Sequence, residues 1–443
     1  MKKIPLLVIL TVCFALIGTV TQVSPVEAGT RWIENVSSTS LPYILADDER
    51  DLIYLGDAQN KELLIIDSNQ EQVIDRVQIP GNKFSDMALS KDNNILAISG
   101  GSLVLVDTQN LAIKVLNIGM DVVSVAFDYK DNLYFSTTES WGKIYYFDLA
   151  QEVIVHSFTP NKMVYRNALV KTDADGKTLY VAERGLSPAS LYKFDVSGDE
   201  PVFVTEDQHG ALGSNLRDFV ISPDGKTIYM ACGSPYGIQV VDAGTIQRTA
   251  LLSTGAYPGG VALDKFGIYV YGIPTSPYNN ILYQFKTADV AKTRSFDLLS
   301  AVYNGQPNIR GIALSKNGDK AFIVHGTSSA GFQVQVVDTE VNINDDVIAV
   351  LEKEIEQLQA RIKELEDLVA TLLTKNQQYL DETIALKAEN ADLQNQLNTK
   401  SQQVTQLEQE NSNLKSQIEA KNRYIEALMN YIRRLWDYIR QIQ

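Results

Sequence analysis

The chain has 443 residues, with 54 acidic against 39 basic side chains and a formal net charge of −15. An excess of that sign argues against nucleic acid or an anionic membrane surface as a general partner, because both require a basic footprint. At 45% apolar and 21% charged residues, the composition is that of an ordinary globular protein able to bury a full core.

The first element is a leader. Lys2 and Lys3 precede an apolar run from Ile4 to Val20, and the small-residue site Val26-Glu27-Ala28 follows before Gly29. That order describes a secretory signal peptide over residues 1–28. Leu10-Thr11-Val12-Cys13 faintly resembles a lipoprotein box, although a valine before the cysteine is too bulky and the apolar run continues past it. After cleavage only Cys232 remains, so no intrachain disulfide can form. No later stretch approaches the ~20 apolar residues that span a bilayer, so the expected location is secreted or surface-attached.

From about residue 30 to 342 a repeat emerges. A short apolar strand ending in aspartate recurs as Leu64-Ile65-Ile66-Asp67, Leu103-Val104-Leu105-Val106-Asp107, Ile144-Tyr145-Tyr146-Phe147-Asp148, Leu191-Tyr192-Lys193-Phe194-Asp195, Ile238-Gln239-Val240-Val241-Asp242 and Val334-Gln335-Val336-Val337-Asp338. A degenerate copy runs from Ile281 to Lys286. Seven units of roughly 40 to 50 residues match the period of a propeller blade. Within a unit a strand such as Phe219–Ser222 leads through Asp224-Gly225-Lys226 into Thr227–Ala231, then the aspartate-ended strand and an outer strand, which makes four strands per blade. The last unit enters a helix before any outer strand, and residues 31–36 have no blade of their own. They are expected to close the ring by pairing into the seventh blade, which removes its open edge.

These units resemble the YVTN-type propeller repeats of secreted bacterial and archaeal surface proteins. The residues that carry the likeness are Val261-Ala262-Leu263-Asp264, the run Val220 to Tyr229, and Thr178-Leu179-Tyr180-Val181-Ala182. Such propellers are similar in turn to the seven-bladed lactonase family, some of whose members hydrolyse sugar lactones. The resemblance implies an extracytoplasmic seven-bladed ring that often serves as a binding module.

Reactive chemistry is sparse. His156, His209 and His325 fall in three different blades without the spacing of a metal site, and Cys232 at a strand end reads as a small buried residue. No nucleophile elbow, P-loop or zinc-helix motif occurs, and neither cofactor nor metal is expected. Asp107 and Asp242 recur too regularly for catalysis and fit turn capping. Aligning the innermost strands places Pro42, Ser85, Val123, Arg166, Arg217, Gly259 and Arg310 before them, so Arg166, Arg217 and Arg310, with His209 close by, are candidates for a channel mouth that binds carboxylate or phosphate. The competing reading pairs each arginine with a local carboxylate such as Asp218.

Residues 345–443 form the expected stalk, and within them a heptad repeat runs unbroken from Ile348 to Ile442. One core position runs through Ile348, Ile355, Ile362, Asn376, Asn390, Asn411, Ile418, Ile425 and Ile432, the other through Leu358, Leu365, Leu428 and Leu435. This is the pattern of a left-handed coiled coil. Isoleucine with leucine favours two parallel strands, with the asparagines fixing register, whereas Arg361-Ile362-Lys363-Glu364-Leu365-Glu366 resembles the pattern of three-stranded coils, so dimer and trimer both stay open. Tyr424, Tyr431 and Tyr438 line one flank of the final turns and Met429 and Trp436 the other, either packing the free end or docking a further partner. The basic end at Arg433, Arg434 and Arg440 matches the helix macrodipole.

The fold expected is therefore an all-β seven-bladed propeller followed by a long α-helical parallel coiled coil. The function expected is a non-enzymatic, oligomeric binding or scaffold protein of the cell surface, its partners being other copies of itself and a cell-envelope protein or glycan. The alternative is a lactonase-like hydrolase working at the channel mouth.

Overall fold

Short apolar strands punctuated by aspartate set the pattern of the body. The computed structural model describes residues 30–442 except 37, 39, 41, 82, 140–142, 161–166, 208–209, 275–280, 289–290, 299–310, 328–330 and 342. The expected leader lies outside the described residues. Contacts divide the chain into two units, residues 1–349 and 350–443.

The first unit holds seven four-stranded antiparallel sheets. Strand β1 (Thr30–Trp32) belongs to the last of them. Blade 1 is β2 (Tyr43–Asp47), β3 (Leu52–Asp57), β4 (Glu62–Asp67) and β5 (Gln72–Gln78). Blade 2 is β6 (Asp86–Leu89), β7 (Ile95–Ser99), β8 (Leu103–Asp107) and β9 (Ile113–Leu116). Blade 3 is β10 (Val122–Phe127), β11 (Leu133–Thr137), β12 (Ile144–Asp148) and β13 (Val153–Phe158). Blade 4 is β14 (Leu169–Thr172), β15 (Thr178–Ala182), β16 (Leu191–Asp195) and β17 (Val202–Glu206). Blade 5 is β18 (Ser214–Ile221), β19 (Thr227–Ser234), β20 (Tyr236–Asp242) and β21 (Gln247–Leu252). Blade 6 is β22 (Pro258–Leu263), β23 (Tyr269–Pro274), β24 (Ile281–Lys286) and β25 (Ala291–Asp297). Blade 7 is β26 (Ile312–Leu314), β27 (Lys320–Thr327), β28 (Gly331–Asp338) and β1. The first strands of neighbouring blades touch around the ring, and β26 returns to β2, so together they wall a central channel.

The recurrent aspartate is a turn device. Asp67 accepts the backbone N–H groups of Asn69 and Gln70 at 2.8 Å each, and Asp107 those of Gln109 and Asn110 at 2.8 and 3.1 Å. Asp148 and Asp242 cap their turns in the same way. Each such turn then closes on a residue with positive φ, namely Glu71, Leu111, Glu152 and Ile246. A carboxylate that satisfies two or three amides stabilises a bend no Gly supplies here. The same third-to-fourth strand pair carries a bulge at Ile65/Ile66, Tyr146/Phe147, Lys193/Phe194, Val240/Val241 and Gln284/Phe285, which adds twist where each blade fans outward.

The ring closes through both ends of its sequence. In β1, Thr30, Arg31 and Trp32 pair antiparallel with Val337, Val336 and Gln335 of β28. Arg31 sits in a fork of two carboxylates. Its Nε and Nη2 donate to Glu71 of blade 1 at 2.6 Å each, while Nη1 and Nη2 donate to Asp338 at 2.7 and 2.8 Å. Lys320 reaches the same Glu71 at 2.9 Å. The apolar cluster beneath joins Ile33 and Val36 to Ile53, Leu55, Phe322 and Val334, so the closing segment is packed as well as paired.

Helix α1 (Ile343–Ile442), 100 residues long, makes up the described part of the second unit from Val350 onward. At about 1.5 Å per residue it extends roughly 150 Å. Side-chain pairs along it, such as Arg361 with Glu364 at 2.6 Å and Gln396 with Asp392 at 2.8 Å, are local and exposed. No helix among the described residues is long and apolar enough to cross a membrane.

The clasp gives a prediction with a pH sign. Burial alone would raise Glu71, but the hydrogen bonds from Arg31 and Lys320 outweigh it and hold its pKa below the usual 4.5. A depressed carboxylate contributes stability that is present above its unfolded value and lost as pH falls through the folded one. Arg31→Ala should cost roughly 2 kcal/mol at neutral pH, since the pair is only partly buried. In thermal melts the gap between wild type and variant should narrow below about pH 4.5; a gap that does not change with pH would contradict the clasp.

Candidate functional site in the central channel

Each blade's first hairpin begins at a polar residue whose N–H closes the turn. Ser90, Asp128, Asp173, Ser222, Asp264 and Ser315 donate to Ile95, Asn132, Thr178, Thr227, Tyr269 and Lys320 respectively, and Asp47 stands at the same place. Counting back four residues from each gives the level at which the first strands enter the channel wall: Tyr43, Asp86, Ser124, Leu169, Asp218, Gly260 and Gly311. Arg217 and Arg310 lie one step before this level. The equivalent in blade 4 is Ala168, so Arg166 falls two residues further upstream than the sequence alignment placed it. Arg166, Arg310 and His209 lie outside the described residues.

The polar members of this level stitch blades together. Asp86 accepts the Tyr43 hydroxyl from blade 1, its own Met87 N–H at 3.0 Å, and from blade 3 the Ser124 hydroxyl at 2.5 Å and the Val125 N–H at 3.2 Å. Ser124 Oγ in turn accepts the N–H of Val170 in blade 4 at 3.0 Å. Lys171 donates to Asp218 of blade 5 at 2.6 Å and also to the Phe219 carbonyl. A belt of hydrogen bonds thus runs from blade 1 to blade 5. Blades 6 and 7 continue it with packing, because a Cβ on Gly260 would approach Ile273 and Ile312 to 3.2–3.3 Å.

Two guanidinium groups are left over by this network. The partner expected for Arg217, Asp218, is taken by Lys171. Arg217 sits at the bulge of β18 between Leu216 and Asp218, and its Nε is buried without a hydrogen-bond partner. Arg184, at the end of β15, is only 5% exposed. Its Nε donates to the Asn167 carbonyl at 2.9 Å while its Nη2 is buried and unpartnered. Sequence reasoning missed Arg184, because it follows the second strand of its blade and lies outside the aligned position. The two arginines are neighbours: Gly185 donates to Leu216 O at 3.1 Å, and Asn215 N donates to Leu186 O at 2.7 Å. Burial lowers the Arg184 pKa, Asp86, Tyr43 and Asp218 oppose that, and the positive charge of Arg217 adds to it. Two close cations with buried donors to spare are arranged to receive one carboxylate or phosphate.

Toward the other end, the first strands of blades 1 to 6 line an open cavity of about 450 Å³, with Tyr43, Asp86, Phe127, Lys171, Ser222 and Asp264 among its walls. Asp264 is pushed up by burial, although the N–H groups of Tyr269 and Phe266 pull the other way. Its role as a hairpin residue explains its place. Cys232 is buried and unpaired, and burial pushes its thiol up to about 12, so thiolate chemistry at neutral pH is suppressed. His156 stacks on Tyr146 with ring centroids 4.8 Å apart. Among the described residues no group of histidine, cysteine or acidic side chains could hold a metal ion.

With this geometry in view, residues 126–252, from the end of β10 through blade 5, match the family model "Lactonase, 7-bladed beta-propeller". Among solved structures the chain is similar to one titled Kuenenia stuttgartiensis hydrazine synthase, at 17% identity and a TM-score of 0.50, covering 70% of this chain and 100% of that one. At that identity the likeness is one of fold. No curated protein matches the chain in sequence.

The spare donors can be tested without knowing the natural ligand. An anion present at a hundredfold its dissociation constant stabilises the folded state by about 2.7 kcal/mol. Titrating citrate or phosphate should therefore raise the melting temperature of the wild type by several degrees. The Arg184→Met/Arg217→Ala variant should show no such rise, and an equal shift in both proteins would place the anion elsewhere.

Proposed function

We propose that this is a secreted or cell-surface binding protein in which propeller heads are presented by a parallel coiled coil of two or three copies of the chain. The observation that carries the reading is the bare seam of α1. Ile355, Leu358, Ile362, Leu365, Ile418, Ile425, Leu428, Ile432 and Leu435 are between 41% and 57% exposed. Large apolar residues repeating at three and four along so long a helix are covered when another copy supplies the facing knobs and holes.

Charge spacing supports the parallel, in-register arrangement. In such a pair, a flanking residue meets the one five positions later in a second copy. That rule matches Arg361 with Glu366, Glu382 with Lys387 and Glu410 with Lys415, all of opposite sign. The same rule brings Tyr424 to Met429 and Tyr431 to Trp436 at the free end. Asn376, Asn390 and Asn411 pair across the axis only at equal depth. The acidic body and the leader agree with an extracytoplasmic setting, and several heads on one stalk raise avidity through effective concentration. A lactonase-like hydrolase is the second reading, favoured by the family match and by arginines at the channel; turnover of a sugar lactone that disappears in Arg217→Ala would select it.

An engineered cysteine tests the arrangement. Because Cys232 is buried, Ile425→Cys should give one interchain disulfide under mild oxidation, visible as a dimer band on a non-reducing gel. A mixed Ile425→Cys and Leu358→Cys sample should cross-link only like with like. Cross-linking of 425 to 358 would indicate antiparallel helices instead.

A further inference from the structure

One surface feature belongs neither to the channel arginines nor to the helix. Blade 5 and its connection to blade 6 carry two exposed tyrosines at the end of the ring where Arg217 lies. Tyr236 opens β20 and Tyr257 precedes β22. Each is 45% exposed, and their ring centroids are 5.0 Å apart at an interplanar angle of 57°. The two rings lean on each other in a shallow V and leave their outer faces in water, whereas aromatic side chains of this size are ordinarily buried for their contact area.

The V is held in place. Tyr257 has φ of 51°, a left-handed conformation that is an outlier for a bulky residue. The same left-handed turn recurs before the first strands of other blades, at Phe84, Asn167 and Asn215, so the repeat itself fixes the backbone that carries the Tyr257 ring. Gly233 supplies the floor, since a Cβ there would approach Asn215 Cβ to 3.0 Å and Tyr257 Cδ1 to 3.3 Å. Asn215, itself at φ of 53°, thus stands beside the ring. Ser214, paired with Ser234 across the sheet, shares a 2.9 Å hydrogen bond with the Ser187 hydroxyl. The two loops that bear the tyrosines, Gly233-Ser234-Pro235-Tyr236-Gly237 and Thr254-Gly255-Ala256-Tyr257-Pro258, contain no charged residue.

Rigid aromatic faces bordered by an amide and hydroxyls, with no charge between them, match one ligand chemistry closely. A neutral pyranose offers C–H faces to stack on rings and hydroxyls to bond to amides and alcohols. An anionic polymer would want cations in these loops, and a protein partner would want a far larger apolar surface, on the order of 800 Å² per side. We infer that Tyr236 and Tyr257, with Asn215, form a glycan-binding platform for neutral hexose units. This rests on the binding role proposed above and names a ligand class for it, separate from any anion held by Arg184 and Arg217.

The test uses the full mature chain against two immobilised neutral polymers, soluble yeast-type mannan and laminarin. Wild type should bind at least one of them. Tyr236→Ala/Tyr257→Ala should weaken that binding tenfold or more, Tyr236→Phe/Tyr257→Phe should retain most of it, and Lys114→Ala, on the exposed outer strand of blade 2, should leave it unchanged. Equal melting temperatures would show that the variants are folded. Binding of neither polymer by the wild type, or undiminished binding by the alanine variant, would overturn the inference. Light scattering on the same samples separates the two claims: an oligomer that binds neither polymer refutes the platform alone, and a monomer that binds one refutes the assembly alone.

Discussion

A helix of 100 residues that leaves isoleucine and leucine half in water at alternating steps of four and three is the constraint on which the rest of the account depends. Isolated helices draw little stability from propensity, and most of what they have comes from packing an apolar face. Each leucine or isoleucine fully removed from water contributes about 1.5–3 kcal/mol, so nine such residues outweigh the polar core positions between Asn376 and Asn411. The proposed assembly follows from that balance. It leaves an Ile/Leu clamp near the start of the helix, a softer middle where asparagine sets register, and an aromatic-flanked end.

The propeller meets a related constraint by a different route. A string of sheets has two open edges, and this chain removes them by building its seventh blade from both ends of the body. The charged fork around Arg31 locks that seam, with carboxylates from blade 1 and from the end of β28. Inside, the belt from Tyr43 through Asp86 and Ser124 to Asp218 ties five blades together. Arg184 and Arg217 stand beside it, and their unpartnered buried donors set them apart from structural arginines such as Arg31. Buried donors without acceptors cost free energy, which is the physical reason for looking to a ligand there.

Much of the fold was legible because it repeats. The aspartate-ended strands gave seven blades, since one carboxylate caps the same turn in several of them, and Asp107 and Asp242 do what their regularity implied. The site was harder to read. An arginine's role depends on who else reaches its neighbourhood, and no local pattern says that Lys171 takes Asp218 and leaves Arg217 unpaired. Arg184 escaped notice because strands one and two of a blade run antiparallel, so the end of β15 returns to the mouth from which β14 departs. The platform at Tyr236 and Tyr257 had no sequence signal at all, since its geometry comes from a bare glycine and a left-handed tyrosine.

The mass of the intact chain in solution bears most directly on the central claim. Light scattering on the full-length protein, whose subunit is 49.2 kDa, should give two or three subunits per particle, unchanged over a wide dilution range. A particle of one subunit whose circular dichroism still reports the long helix would contradict it, because the seam would then be stable while bare.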